Sequence, residues 1–454
     1  MAEMLIGAAR IVPAVAAPPP ATGTHSATGP RSAPDGSLSG DLTTIAPGHV
    51  LVRDGVIAAI GQGPPPRRPD VRLESGVLVP GFVDLQVNGY FGAELAAVRP
   101  GEWRMIAARL PETGTTAFMP TFITAPVPQL ASALRQAAAL AREHAGHTAH
   151  AEQGGQAGQA GHAPGARVLG VHLEGPFISP LRAGAHNKDW MTDPAPSAIS
   201  ELLDAGRGVL EIVTLAPELP GALEAITRLA EAGVLVSVGH TDALASQVAA
   251  AAGAGARMVT HLFNAQRPLH HREPGVPGQA LSDPRLASGL IADFQHVAPE
   301  ICALAFAAAP GRIYLVTDAA ACAGMPPGTY LLGGEPIELP AGDGVPPVRA
   351  SGTLAGSALR MDVAVANMVR AGAGLPGAVA AATRIPADLI GRPELGRIAP
   401  GALADLTWLG EDLRTRATWV AGNLAYSQCP VDKPMSGGQA NDRADKPMTG
   451  RTSQ

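Results

Sequence analysis

Cysteine is scarce: Cys302, Cys322 and Cys429 are the only three in 454 residues, widely spaced and without a CxxC pair. An odd, scattered set of this kind cannot supply a disulfide framework, and a reducing cytoplasmic compartment is expected. Charged residues are also few, at 16%, and the net charge is −6. Nucleic acid and anionic lipid surfaces call for a basic face that releases counterions, so neither nucleic acid nor a membrane is the expected partner. A small soluble ligand fits better. No run approaches the ~20 uninterrupted apolar residues of a membrane span. Ala14-Val15-Ala16 resembles a leader cleavage box, but Glu3 stands where a basic region belongs and Arg10 interrupts the apolar run, so a secretory leader is not expected.

Apolar side chains are plentiful at 46%, enough for a substantial core. Three segments stand apart. Residues 16–47 are rich in Pro, Gly, Ser and Thr, residues 144–164 read HAGHTAHAEQGGQAGQAGHAP, and the tail 429–454 is polar. None buries enough surface to offset its ordering entropy, and they read as a disordered insertion, a flexible insertion and a disordered tail. His144, His147, His150 and His162 fall in the second segment and are read as exposed groups without fixed metal geometry.

Between Gly76 and Asp318 one unit recurs, a short β-branched run, a polar or Gly turn and an Ala/Leu-rich helical stretch. Eight strands are expected, at 77–86, 115–121, 168–174, 209–215, 234–240, 258–261, 287–292 and 313–318, with helices such as 128–142, 218–232, 244–254 and 299–309 between them. Eight β/α units point to a TIM barrel. The flanks differ: HVLVRDGVIAAIG (49–61) has an Asp-Gly turn between β-type runs, and 396–409 with 416–427 has the same texture. The expected fold is therefore α/β, a (β/α)8 TIM barrel over 80–394 with a small β-sandwich built from 1–79 and 395–428.

In such a barrel the reacting groups stand at the C-terminal ends of the strands. Here strand three ends in Glu174, strand five in His240, strand six in His261 and strand eight in Asp318. Two imidazoles and one carboxylate leave a position open on a divalent ion, as in catalytic zinc sites. Glu174, His240 and His261 are the candidate ligands, and Asp318 is the candidate general base and acid. His172 lies one layer deeper and is read as a core histidine.

These residues sit in motifs: PGFVDLQVNG (80–89), HLEGPFISP with GAHN (172–187), GHTDA (239–243), THLFNA (260–265), REPG (272–275), LVTDA (315–319), LAGSALRM (354–361) and GRIAPGALADL (396–406). Together they resemble the N-acetylglucosamine-6-phosphate deacetylases of the amidohydrolase superfamily. The resemblance implies hydrolysis of the N-acetyl group of an amino-sugar phosphate, in a homodimer holding one divalent ion per chain, zinc or iron. It implies that His186 polarises the acetyl carbonyl, that Asn264 and Ala265 meet the substrate, and that Arg272 and His296 bind the 6-phosphate, with one basic group reaching across the dimer. The chain departs from its relatives twice. Many amidohydrolases carry His-x-His at the end of strand one, whereas Gln86 and Asn88 stand here, which favours one metal. Phe294 and Gln295 lie between Asp293 and His296 where the family usually shows Asp-Gly-x-His, and His270 and His271 adjoin Arg272. Two other readings are an amidohydrolase for another N-acyl or cyclic amide substrate and a non-catalytic barrel. A neutral ring has no use for a phosphate clamp, and a scaffold has none for Asp318.

Overall fold

The computed structural model describes residues 3–14, 44–152, 165–342 and 344–428, with backbone only over 142–152. Eight parallel strands follow in order: Phe82–Val87, Thr115–Ile123, Val171–Glu174, Leu210–Leu215, Leu235–Val238, Met258–Val259, Ala287–Leu290 and Ile313–Leu315. Each pairs with the next, and a parallel bridge between Val87 and Ala319 brings the eighth back to the first. Asp84 reinforces that seam, because its carboxylate accepts from the Thr317 hydroxyl (2.6 Å) and the Thr317 backbone N–H (3.2 Å). Burial pushes Asp84 up to about 7.

The strands form where the sequence is continuously apolar because both faces are covered, as the second strand shows, buried along all nine residues. The helices outside present an apolar stripe inward. In Ala222–Glu231 the buried positions are Ala222, Ala225, Ile226 and Leu229, a 3–4 residue spacing. Three of the helices, starting at Pro100, Pro196 and Pro299, open on proline, whose missing N–H costs nothing in the first turn. Inside the barrel a polar relay crosses the axis: His172 Nε2 to Thr214 Oγ1 (2.7 Å), Thr214 to Thr260 (2.7 Å) and Thr260 to Ser237 (2.6 Å). His172 is thus a buried core group bonded through Nε2, with no hydrogen-bond partner for Nδ1 among the described residues, and burial lowers its pKa to about 4.

Two four-stranded sheets stand beside the barrel. One orders Val56–Gln62, Gly48–Arg53, Glu3–Ala8 and Val71–Leu73; the other orders Asn423–Ser427, Thr415–Val420, Leu406–Leu409 and Val77–Pro80. They share one apolar core, with Ile6, Val50, Ile57 and Val71 facing Leu78, Leu406 and Trp419. Strands from both chain ends therefore build this sandwich, and Asp54-Gly55 makes the expected turn.

Three expectations need correction. The run 77–86 is not one barrel strand: Val77–Pro80 pairs with Leu406–Leu409 in the sandwich, and only Phe82–Val87 enters the barrel. The chain changes sheets at Gly81, where a Cβ would strike the Thr116 side chain. The second insertion is partly helical, since the helix expected at 128–142 spans Val127–Glu152. Its alanines, the best helix formers, carry the helix on where the composition read as loose. In the first insertion Ile45 forms a bridge with Ile11, so its last residues are ordered. Residues 15–43, 153–164 and 429–454 lie outside the described residues.

Candidate active site

A cavity of about 740 Å³ opens at the C-terminal end of the barrel. Its walls carry Glu174, His240, His261, Asp318, His186, Asn264, Ala265 and His296. Of the candidate site residues only Arg272 lies outside it, on an exposed rim loop.

Glu174 closes the third strand, whereas His240, His261 and Asp318 lie two or three residues beyond their strand ends. Those three hold φ of 47°, 28° and 52°, a left-handed conformation that costs a non-glycine residue about 1–3 kcal/mol. The turn so formed swings each side chain toward the barrel axis. Gly239 permits it before His240, because a Cβ there would meet Thr214 and Thr260 at 2.7 and 2.8 Å.

The donor atoms converge. Glu174 Oε1 is 2.8 Å from His261 Nε2 and 3.1 Å from His240 Nε2, and the two imidazole nitrogens are 3.1 Å apart. His240 Nδ1 donates to the Arg182 carbonyl (2.9 Å), so its Nε2 carries a lone pair. Lone pairs facing one another at this distance require a proton or a cation between them, and all three residues are buried. The set is therefore chemically suited to a divalent ion. Burial alone would raise Glu174, but the His240 and His261 imidazoles against it hold it well below the usual carboxylate range.

Asp318 sits beside this group. Asn88 Nδ2 donates to its Oδ1 (2.6 Å), and Gln86 Nε2 donates both to Asp318 Oδ1 (3.1 Å) and to Glu174 Oε1 (3.2 Å). The two amides that replace His-x-His thus clamp both carboxylates. Burial, and then the Glu174 charge, push Asp318 up to about 6.

His186 Nε2 points at Glu174 Oε2 from 3.8 Å. Its Nδ1 accepts from the Thr124 backbone N–H (3.3 Å) and lies 2.8 Å from the Thr124 hydroxyl. A backbone N–H can only donate, so Nδ1 is the acceptor and Nε2 bears the proton in the neutral ring. Burial, followed by the His240 charge, keeps that ring neutral by holding its pKa well below the usual histidine value. The Asp293 turn forms with Phe294 at the position where the expected pattern has glycine. Phe294 takes φ 65°, and Asp293 Oδ1 accepts from the N–H groups of Gln295 (2.9 Å) and His296 (2.8 Å). Asp293 Oδ2 lies 2.6 Å from His296 Nδ1, which aims the opposite edge of that ring.

Asp84, Thr124 and the clamping role of Gln86 and Asn88 were not anticipated. A hairpin, Gly328–Leu332 with Glu335–Leu339, was also missed, although Gly333-Gly334 between β-type runs is a turn signal. It matters because Leu332 lines the cavity.

The chain and its fold match known proteins. The amidohydrolase family model matches residues 77–440, and the chain belongs to that family. Within it, the chain is 37% identical over 380 residues to an N-acetylgalactosamine-6-phosphate deacetylase of Escherichia coli, covering 83% of this chain and 94% of that protein. It is 36% identical over 325 residues to an N-acetylglucosamine-6-phosphate deacetylase of Bacillus subtilis, covering 71% of this chain and 78% of the relative. The structure of the Mycobacterium smegmatis N-acetyl-D-glucosamine-6-phosphate deacetylase in complex with N-acetyl-D-glucosamine-6-phosphate aligns with TM-score 0.79 at 33% identity, covering 94% of this chain and all of that one.

Proposed function

We propose that the chain hydrolyses the N-acetyl group of N-acetylglucosamine 6-phosphate to glucosamine 6-phosphate and acetate. The observation that carries this reading is the convergence of Glu174, His240 and His261 beside Asp318 in one cavity, in a chain whose relatives bear that activity in their names. Those three residues would hold one divalent ion, zinc or iron, since two imidazoles and a carboxylate suit either. Such an ion supplies Lewis acidity to the acetyl oxygen and to water.

The remaining work falls to this chain's own groups. The Asp318 carboxylate, held by Asn88 and Gln86, takes a proton as water adds to the acetyl carbon. It returns that proton to the sugar nitrogen as the C–N bond breaks, leaving a free amine and acetate. His186 Nε2–H donates to the carbonyl oxygen as it gains negative charge. Asn264 and Ala265 meet the sugar, and His296 faces the 6-phosphate. Arg272, exposed on its loop, serves the cavity of a second copy in this reading, and the working unit is a homodimer in the cytoplasm. Free, buried thiols at Cys302 and Cys322 agree with that compartment.

The test is acetate release by the purified protein from N-acetylglucosamine 6-phosphate, with its epimer N-acetylgalactosamine 6-phosphate run alongside because one relative is named for it. Turnover of the first at a higher kcat/KM supports the reading. Preference for the epimer changes the substrate, and no acetate from either refutes the function.

A further inference from the structure

The loop that carries His186 has no regular secondary structure between Gly184 and Asn187, and Gly184 stands at φ 56°. Its position therefore depends on what grips it from outside. That grip comes from the hairpin at 328–339 and the segment after it. The hairpin turn is pinned at one end by Glu94, whose Oε1 accepts from the N–H groups of Gly333 (2.5 Å) and Gly334 (3.4 Å). Beyond the hairpin, Arg349 reaches back across the cavity rim. Its Nη2 donates to the Ala185 carbonyl (2.8 Å) and to the Leu332 carbonyl (3.0 Å), and its Nη1 donates to the Pro336 carbonyl (3.3 Å). Nη1 also lies 3.4 Å from Glu335 Oε2, and Glu335 Oε1 accepts from Asn187 Nδ2 (2.9 Å).

One ion pair thus holds the residue on each side of His186, while Thr124 holds the ring itself. Arg349 is only 12% exposed, so water competes weakly for its donors. We infer that Arg349, seconded by Glu335, is a positioning residue that aims His186 at the substrate carbonyl. The inference rests on the electrophilic role given to His186 above.

A donor displaced by about 1 Å can cost ~10²-fold in rate, and an interaction made only in the transition state lowers kcat without changing KM. Arg349→Ala is therefore expected to lower kcat by ~10-fold or more with KM within ~2-fold. Arg349→Lys keeps a charged N–H donor for the two carbonyls and should recover kcat to within ~3-fold of the parent. Metal content measured by mass spectrometry should be the same in parent and variants. The decisive step repeats Arg349→Ala in a His186→Ala background, where it should cost nothing more.

An equal loss in both backgrounds would show that Arg349 acts elsewhere and would overturn the inference, as would a loss of metal that accounts for the lost rate. A normal kcat in Arg349→Ala beside a crippled His186→Ala would overturn it too, leaving the role of His186 intact. A normal kcat in His186→Ala would instead remove that role, and the inference with it.

Discussion

The two ends of the proposed site are built on different terms. At the reacting end Glu174, His240, His261 and Asp318 are each at most 8% exposed, and each is bonded to another part of the barrel or its rim. At the other end Arg272, proposed for the phosphate but outside the cavity of its own chain, lies on an exposed loop with Leu269, itself 51% exposed, and its guanidinium has no hydrogen bond or ion pair among the described residues. A group that moves protons or holds a metal must be in place before substrate arrives, and here the bonds that hold those groups are all made within one folded chain. A phosphate contact has only to be within reach, and a second subunit can supply it.

The largest expected effect lies at the reacting end. Glu174→Ala removes the carboxylate that both imidazoles address, and should abolish metal binding and cut acetate release by at least ~10³-fold. Elemental analysis read with the assay checks both, and a metal-loaded, active variant would dissolve the contrast between the two ends. Asp318→Asn should keep fold and metal yet lower kcat by ~10²-fold or more, because an amide cannot take the proton. Near-normal turnover with full metal would contradict that role.

The pH profile sharpens the same point. As the proposed base Asp318 works ionised, so activity should fall as pH drops through its pKa. Burial and the Glu174 charge place that pKa at about 6 without a cation, and a divalent ion alongside pulls it down. The acidic limb of kcat/KM in metal-replete protein should therefore lie below the pKa that Asp318 shows in metal-free protein, and a limb at or above that value would argue that no cation sits beside the carboxylate. The smallest of these effects belongs to the far end. Arg272→Ala should lower kcat/KM for the phosphorylated sugar by ~10-fold or more, a charge-assisted bond to phosphate being worth ~1.5–3 kcal/mol, and should barely alter unphosphorylated N-acetylglucosamine. Equal losses on both sugars would point to damage in the fold instead.

The two ends also differed in how far they could be read from the residues. Strand-end placement made Glu174, His240, His261 and Asp318 visible, because apolar runs of barrel length stop on them. The left-handed turns that swing His240, His261 and Asp318 inward were invisible, since none of the three is glycine. Gln86 and Asn88 were legible only as poor ligands. Their work as donors to Glu174 and Asp318 spans 88 to 232 residues of chain and exists only once the barrel closes. Arg349 and Glu335 escaped for the same reason, their partners at Ala185 and Asn187 lying 164 and 148 residues away. Local pattern misled where two sheets share one continuous apolar run, at Val77–Pro80 and Phe82–Val87.

The claim that one end is complete in a single chain and the other is not can be tested by mixing two crippled proteins. Arg272→Ala keeps the metal group, and Glu174→Ala keeps the arginine. Under conditions where subunits exchange, each mixed dimer has one site lacking both features and one site with both, so an equal mixture should recover about a quarter of the parent activity if assembly is random. Recovery beyond the sum of the separate variants is the expected result. No recovery despite demonstrated exchange would place Arg272 in its own chain's cavity or outside any cavity, and would contradict the shared site.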